Sequence, residues 1–263
     1  HRDLHSFPTR RSSDLRHVTI YGTGREYCAW PSITRAANGD LLVLFCDTEE
    51  HLGPDGRILL MRSKDNGAKW QGPQTVYNSI IDDRECGITA LRDGRLLMHL
   101  WSTHWREAQY AALSENSYEK PVLQRWMQYV NRPAYQQASA LQKAWLSITK
   151  DNGETWSEPL DGPDSVHGGV QLSDGSILVA GYRSHAQYCG IYTSDSTANF
   201  WQEVATVHSP QPDSFRFGEP HVAQLPSGRI ILMMRATMTK YDDQAKKCFL
   251  WESYSDDLGR TWV

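Results

Sequence analysis

The sequence predicts an all-β chain, a β-propeller of four-stranded antiparallel blades, and three observations carry that reading. The first is a repeated box of the form Ser/Thr-x-Asp-x-Gly-x-x-Trp, present as Ser63 to Trp70, Thr149 to Trp156 and Ser255 to Trp262. A worn copy runs from Thr193 through Asp195 to Trp201, one residue longer and without the glycine. The box is hairpin-turn chemistry: Asp accepts hydrogen bonds from the turn backbone, Ser or Thr adds a local bond, and Gly takes the left-handed conformation. The second observation is that every box follows two apolar runs joined by a tight Asn-Gly, Asp-Gly or Ser-Gly turn, a strong hairpin signal. The third is the constant order of strand, turn, strand, loop, strand, box, strand. Four short strands per repeat make one propeller blade.

Taken in order, residues 1–15 show no apolar periodicity and match no part of the repeat, so they read as a translated cloning or sequencing adapter and are set aside. No apolar run of signal-peptide length follows their arginines. The first blade begins near Trp30-Pro-Ser-Ile-Thr-Arg35, turns at Asn38-Gly39 and returns through Leu41–Phe45. The second pairs Cys86–Leu91 with Leu96–Leu100 across Asp93-Gly94, the third His167–Leu172 with Ile177–Ala180 across Asp174-Gly175, and the fourth Pro220–Leu225 with Ile230–Met234 across Ser227-Gly228. Between the second and third strands of the second blade lies an insertion, residues 105–142, in which Val122–Val130 has helical spacing bounded by Pro121 and Pro133. The chain ends one residue after Trp262, inside the last box hairpin. Because propellers close into rings, the expectation is one domain, residues 16–263, truncated at its C-terminus.

Composition excludes several classes. A net charge of −4 gives no basic footprint for nucleic acid. No apolar stretch is long enough to span a membrane as a helix. The five cysteines form no CxxC pair and read mainly as buried free thiols rather than a metal site.

If the Asn-Gly, Asp-Gly and Ser-Gly turns all lie at the bottom, the starts of first strands and the ends of second strands meet at the top, around the axis. That placement gathers Arg84, Glu85, His167, Arg183, Glu219 and Arg235, with His51 and Asp55 in a loop above them. Arginine suits a carboxylate ligand because its planar fork donates two parallel hydrogen bonds. Converging arginines repel one another unless an anion or carboxylates balance them. A plain structural ion pair between Glu219 and Arg235 is the competing reading, as are ordinary loop roles for His51 and Asp55.

The box is the Asp-box, or bacterial neuraminidase repeat, and residues 16–263 resemble the first two-thirds of the six-bladed sialidase propeller. The segment Phe217-Gly-Glu219-Pro-His through Gly228 to Arg235 is similar to the sialidase segment in which a Glu opens one inner strand and an Arg closes the next. The resemblance implies that Glu219 activates a nucleophilic Tyr and that Arg235 belongs to an arginine triad gripping the substrate carboxylate. It implies no metal or organic cofactor, a glycan or acidic saccharide as partner, and a secreted or periplasmic location.

The departures are specific. The first triad Arg falls on Ala29, and no Asp falls on the acid/base position near His51 to Gly53, although Asp55 is close. The third Arg and the Tyr would lie beyond Val263. Two functions follow from the sequence: an exo-acting glycosidase releasing a terminal acidic sugar, or a non-catalytic or differently catalytic propeller that binds acidic saccharides.

Overall fold

The computed structural model describes residues 17–22, 27–113, 117–182, 188–238 and 248–263. Among the described residues fifteen strands form four antiparallel sheets in chain order. The first sheet holds β1 (Tyr27–Arg35), β2 (Leu41–Thr48), β3 (Arg57–Ser63) and β4 (Gln71–Tyr77). The second holds β5 (Asp82–Ala90), β6 (Leu96–Thr103), β7 (Ala144–Thr149) and β8 (Leu160–Asp161). β9 (Gly169–Gln171), β10 (Ile177–Tyr182), β11 (Tyr188–Ser194) and β12 (Gln202–His208) form the third, and β13 (Phe215–Gln224), β14 (Ile230–Met238) and β15 (Cys248–Ser255) the fourth. Each sheet is a meander whose strands pair with their sequence neighbours, the arrangement of propeller blades.

The fourth blade differs from the expected four strands by having three among the described residues. Beyond its box, Val263 exchanges two backbone hydrogen bonds of 3.0 Å with Tyr254 on β15. The third blade differs as well: β9 starts at Gly169 rather than at His167, because Gly168 adopts φ +82° and breaks the extended run.

The boxes build their turns as their chemistry dictates. In the second blade the Thr149 hydroxyl donates to Asp151 at 2.7 Å and accepts from the Gly153 amide at 3.0 Å, while Asp151 also accepts from the Thr155 amide at 2.9 Å. The Thr155 hydroxyl, which also donates to Asp151, the Thr155 amide and the Thr149 hydroxyl together hold the Asp151 carboxyl down at about 2. In the worn box the missing glycine is replaced by Ala198, which takes the left-handed conformation itself at φ +61°.

Apolar seams join the blades, and three of the four box tryptophans pack on the blade before their own. Trp156 lies against a cluster of Leu42, Leu44, Leu60, Ile88 and Met98 between the first two blades. Trp201 closes the next seam beside Leu97 and Val179, and Trp262 the one beside Leu178 and Leu232. Trp70 covers Val43, Phe45 and Met61 on the other face of the first blade, with Tyr21 beside it. The four tryptophans are half-buried rather than fully enclosed. At the bottom of the first seam Arg62 reaches from β3 to Asp40 at 2.9 Å, to the Asn152 carbonyl at 2.8 Å and to Glu154 at 3.1 Å. The Asn38 amide donates to the Asn152 side chain at 3.2 Å, so the tight turns and the boxes share one end of the molecule, as the sequence requires.

The insertion is helical: α1 (Glu107–Ala111), α2 (Lys120–Val130) and α3 (Pro133–Gln137), then a 3-10 turn over Ala138–Leu141. Pro121 and Pro133 stand in first turns, where a proline loses no helical hydrogen bond. Its buried Tyr110, Leu123, Trp126 and Tyr135 form a separate core that roofs the β2–β3 loop. Trp126 donates to Glu49 at 2.9 Å, and Tyr110 to the Leu52 carbonyl at 2.9 Å. All five cysteines are free thiols, with Cys46, Cys86 and Cys189 buried and Cys28 and Cys248 exposed. No helix among the described residues is long and apolar enough to cross a membrane.

Candidate active site

The first strands of three blades share one irregularity, and it builds the site. Pairing of β1 with β2 breaks between Ala29 and Ser32, that of β5 with β6 between Arg84 and Cys86, and that of β13 with β14 between Gly218 and His221. Inside these bulges Trp30, Glu85 and Glu219 have left-handed backbones, at φ 52°, 46° and 49°. Each stands nine residues before a turn glycine, Gly39, Gly94 or Gly228. A non-glycine residue held there costs about 1–2 kcal/mol, and bulges serve to re-aim a side chain. In the third blade the corresponding residue is Val166, and the left-handed position moves to Gly168.

Glu219 forms an ion pair with Arg235, whose residue is the β14 partner of Gly218. Glu85 lies close enough to feel both charges. Burial raises its carboxyl above the ordinary value, Arg84 opposes that, the like charge of Glu219 adds to it and Arg235 opposes it. His167 stands nearby, its ring 6.4 Å from that of His221. Burial pushes His167 down to about 4, with His221 and Arg235 adding to the effect, so its imidazole is neutral at pH 7. Its Nε2 is buried without a hydrogen-bond partner.

Arg84 is buried and layered between aromatic rings, 4.7 Å from the centroid of Trp30 and 5.8 Å from that of Trp105. It lies 3.3 Å from Asp82 and 3.9 Å from Glu85, and donates to the His51 carbonyl at 3.0 Å. Trp105 donates to the same Asp82 carboxyl at 2.9 Å, yet burial raises that acid to about 7. Next to it Asp83 accepts from Ser102 at 2.6 Å and from the Ser79 hydroxyl at 2.9 Å, and burial lifts it to about 6. A cavity of about 250 Å³ opens here, walled by Arg84, Glu85, Trp101, Trp105, Asp164 and Val166.

The sequence-predicted residues therefore divide. Glu219, Arg235, Glu85 and His167 interact through their charges, and Arg84 joins them through Glu85. His51 accepts or donates at 2.8 Å to Tyr27 and packs on Trp30, and burial lowers its pKa, with Arg84 adding to it. Asp55 is placed toward the insertion, where its charge acts on Tyr110 and Tyr135. Arg183 lies outside the described residues. Sequence reasoning missed Trp30, Trp105, Asp82, Asp164 and His221. The nine-residue spacing to the turn glycine is the signal that finds Trp30, since it aligns that residue with Glu85 and Glu219.

No family model matches the sequence, and no curated protein matches it. Solved structures do match in shape. A protein of unknown function from Dyadobacter fermentans is 18% identical with a TM-score of 0.65, over 91% of this chain and 69% of that one. The NanB sialidase of Streptococcus pneumoniae, as its K499G mutant, is 12% identical with a TM-score of 0.64, over 93% of this chain and 53% of that one. An α-L-arabinanase of Penicillium chrysogenum, solved with arabinobiose, is 16% identical with a TM-score of 0.54, over 88% and 63%. The chain thus spans about half of that sialidase and under two-thirds of the arabinanase. At these identities the likeness speaks for architecture alone: the four sheets are successive blades of a β-propeller.

Proposed function

We propose that this chain carries part of the active site of an exo-acting glycoside hydrolase that removes a terminal acidic sugar from a glycan. The observation that carries the reading is the Glu219–Arg235 ion pair, with Glu219 held left-handed in its bulge. Strained backbone of this kind clusters at functional sites. Arg235 supplies the cation for a sugar carboxylate, and Glu219 takes the proton of the attacking nucleophile. Burial raises both Asp82 and Glu85, the two acids beside Arg84, which leaves Arg84 less than fully neutralised and favours an anionic ligand. A sialidase and an arabinanase among the structural neighbours support glycoside chemistry on this architecture, not a particular sugar.

Ala29 at the expected arginine position favours a second reading, a propeller that binds acidic saccharides without cleaving them. The test is hydrolysis of a fluorogenic sialoside beside fluorogenic uronides by the chain and its Arg235→Ala and Glu219→Gln variants. Turnover of one acidic glycoside, lost in both variants, is expected. Saccharide binding without turnover would select the second reading, and turnover that survives both substitutions would remove these residues from the site.

A further inference from the structure

Glu85 and Glu219 occupy the same bulge position in the second and fourth blades, nine residues before Gly94 and Gly228, and both are left-handed. Their environments differ. Glu219 is met by Arg235 in a direct ion pair, whereas the Glu85 carboxyl reaches Arg84 only at 3.9 Å. Arg84 itself is committed to Asp82 and the His51 carbonyl. Two carboxyl groups that share a site and differ in their counter-charges divide the acid and base roles between them.

Four acids, Asp55, Asp82, Asp164 and Glu85, could protonate a departing oxygen. The Asp55 charge acts on Tyr110 and Tyr135 of the insertion, and Asp55 does not line the cavity. Asp82 is almost fully enclosed and already bonded by Trp105. Glu85 and Asp164 both line the cavity with Trp101, Trp105 and Val166, but Glu85, its side chain 16% exposed, is the one that sits in the bulge matching that of Glu219 and feels the charges of Glu219 and Arg235. That cavity, at about 250 Å³, falls just below the range of drug-sized pockets and suits a single sugar ring stacked on indole.

We propose that Glu85 is the proton donor of this site, acting on the oxygen of a leaving sugar seated against Trp101 and Trp105. The inference rests on the hydrolase reading above. As the bond from the anomeric carbon to the glycosidic oxygen breaks, the Glu85 carboxyl passes its proton to that oxygen, and the leaving sugar departs as an alcohol. The Glu219 carboxylate takes a proton from the nucleophile, which is water in the net reaction, as its oxygen bonds to the anomeric carbon. Glu85 ends as a carboxylate and Glu219 as an acid, and exchange with solvent resets both. The charged groups facing Glu85 are Arg84 on its own strand, Glu219 on β13 and Arg235 on β14, with Asp164 across the cavity. Burial, followed by the Glu219 charge, keeps the Glu85 proton in place at a higher pH than an ordinary glutamate allows.

The experiment compares Glu85→Gln with the parent chain on two glycosides of the same acidic sugar, one with a sugar aglycone and one with a dinitrophenyl aglycone that needs no protonation. General acid catalysis contributes about 10²- to 10⁴-fold, so kcat/KM for the sugar aglycone should fall by that factor while the dinitrophenyl glycoside loses less than about tenfold. The alkaline limb of the pH profile should vanish with it, and calorimetric binding of the free acidic sugar should stay within about threefold. If Glu85→Gln does not fold, Glu85→Asp and carbon-13 NMR of the glutamate carboxyls decide: Glu219→Gln should lower the Glu85 titration midpoint. Equal losses on both aglycones, no loss on either, or an unmoved midpoint would overturn the assignment while leaving the hydrolase reading intact. A parent chain that binds acidic sugar but cleaves neither glycoside overturns both.

Discussion

Gly87 stands where the second and third blades touch near the axis, and replacing it by alanine tests the packing directly. A Cβ built there would lie 2.1 Å from the His167 carbonyl carbon and 2.3 Å from the Gly168 nitrogen. Both are backbone atoms, so no side chain can swing aside. Carbon atoms sit at about 3.5–4.0 Å, so the seam would have to open by about 1.4 Å. Overpacking of this kind costs about 1–3 kcal/mol. The same movement stretches the bonds between Thr89 and Gly169, now 2.8 Å and 3.3 Å, each contributing about 0.5–1.5 kcal/mol. We expect a total of about 2–6 kcal/mol. With an unfolding entropy of about 2.1 cal/mol/K per residue, that lowers Tm by roughly 4–11 °C. The control is Gly175→Ala, where a Cβ meets nothing within 4 Å and only the left-handed backbone at φ +95° objects, so about 1 kcal/mol is expected. Urea and thermal unfolding of both variants give the comparison. A Gly87→Ala protein no less stable than Gly175→Ala would refute the seam geometry.

Trp156→Ala should cost about 2–3 kcal/mol in urea unfolding, below the value for a fully enclosed aromatic because the ring is half-buried. Arg62→Ala strands the buried Asp40 carboxylate and should cost about 3–5 kcal/mol, whereas the double replacement Arg62→Met with Asp40→Leu should recover most of it. His99 is fully buried in the second seam without a hydrogen-bond partner, and burial pushes it down to about 4. The unfolded chain, titrating near 6.5, then binds the proton first, so stability is lost as pH falls from about 6.5 through about 4, by roughly 3 kcal/mol. His99→Leu should remove that slope, and an unchanged slope in equilibrium unfolding across this range would contradict the assignment.

The blades were legible because their signals are local. A tight turn followed by a box specifies four strands within some forty residues of chain, and the bottom placement of both turns follows from strand alternation alone. The insertion was legible for the same reason, through the helical spacing of Val122–Val130 inside α2. What the sequence hid depends on contacts between blades. Asp55 reads as a site residue by its loop position, and nothing local shows that this loop also meets the insertion, where Tyr110, more than fifty residues away, donates to the Leu52 carbonyl. Trp30 shows no charge and no motif, so its place beside Arg84 emerges only when the register break is seen. His167 was assigned to a strand, because nothing local announces that Gly168 will turn left-handed against Thr89.

The repeated bulge has a consequence for how such a molecule changes its chemistry. The backbone at Trp30, Glu85 and Glu219 adopts one shape whether the side chain is an indole or a carboxyl. The strand hydrogen bonds resume on either side of each break, so the shape is enforced by the blade and not by the residue it carries. Three of the four blades thereby offer one interchangeable socket each at the axis. A single codon change there replaces an acid by an aromatic without disturbing a strand, a turn or a seam. The side-chain chemistry of the axis and the stability of the fold are then under separate genetic control, and neighbouring sockets can be altered one at a time.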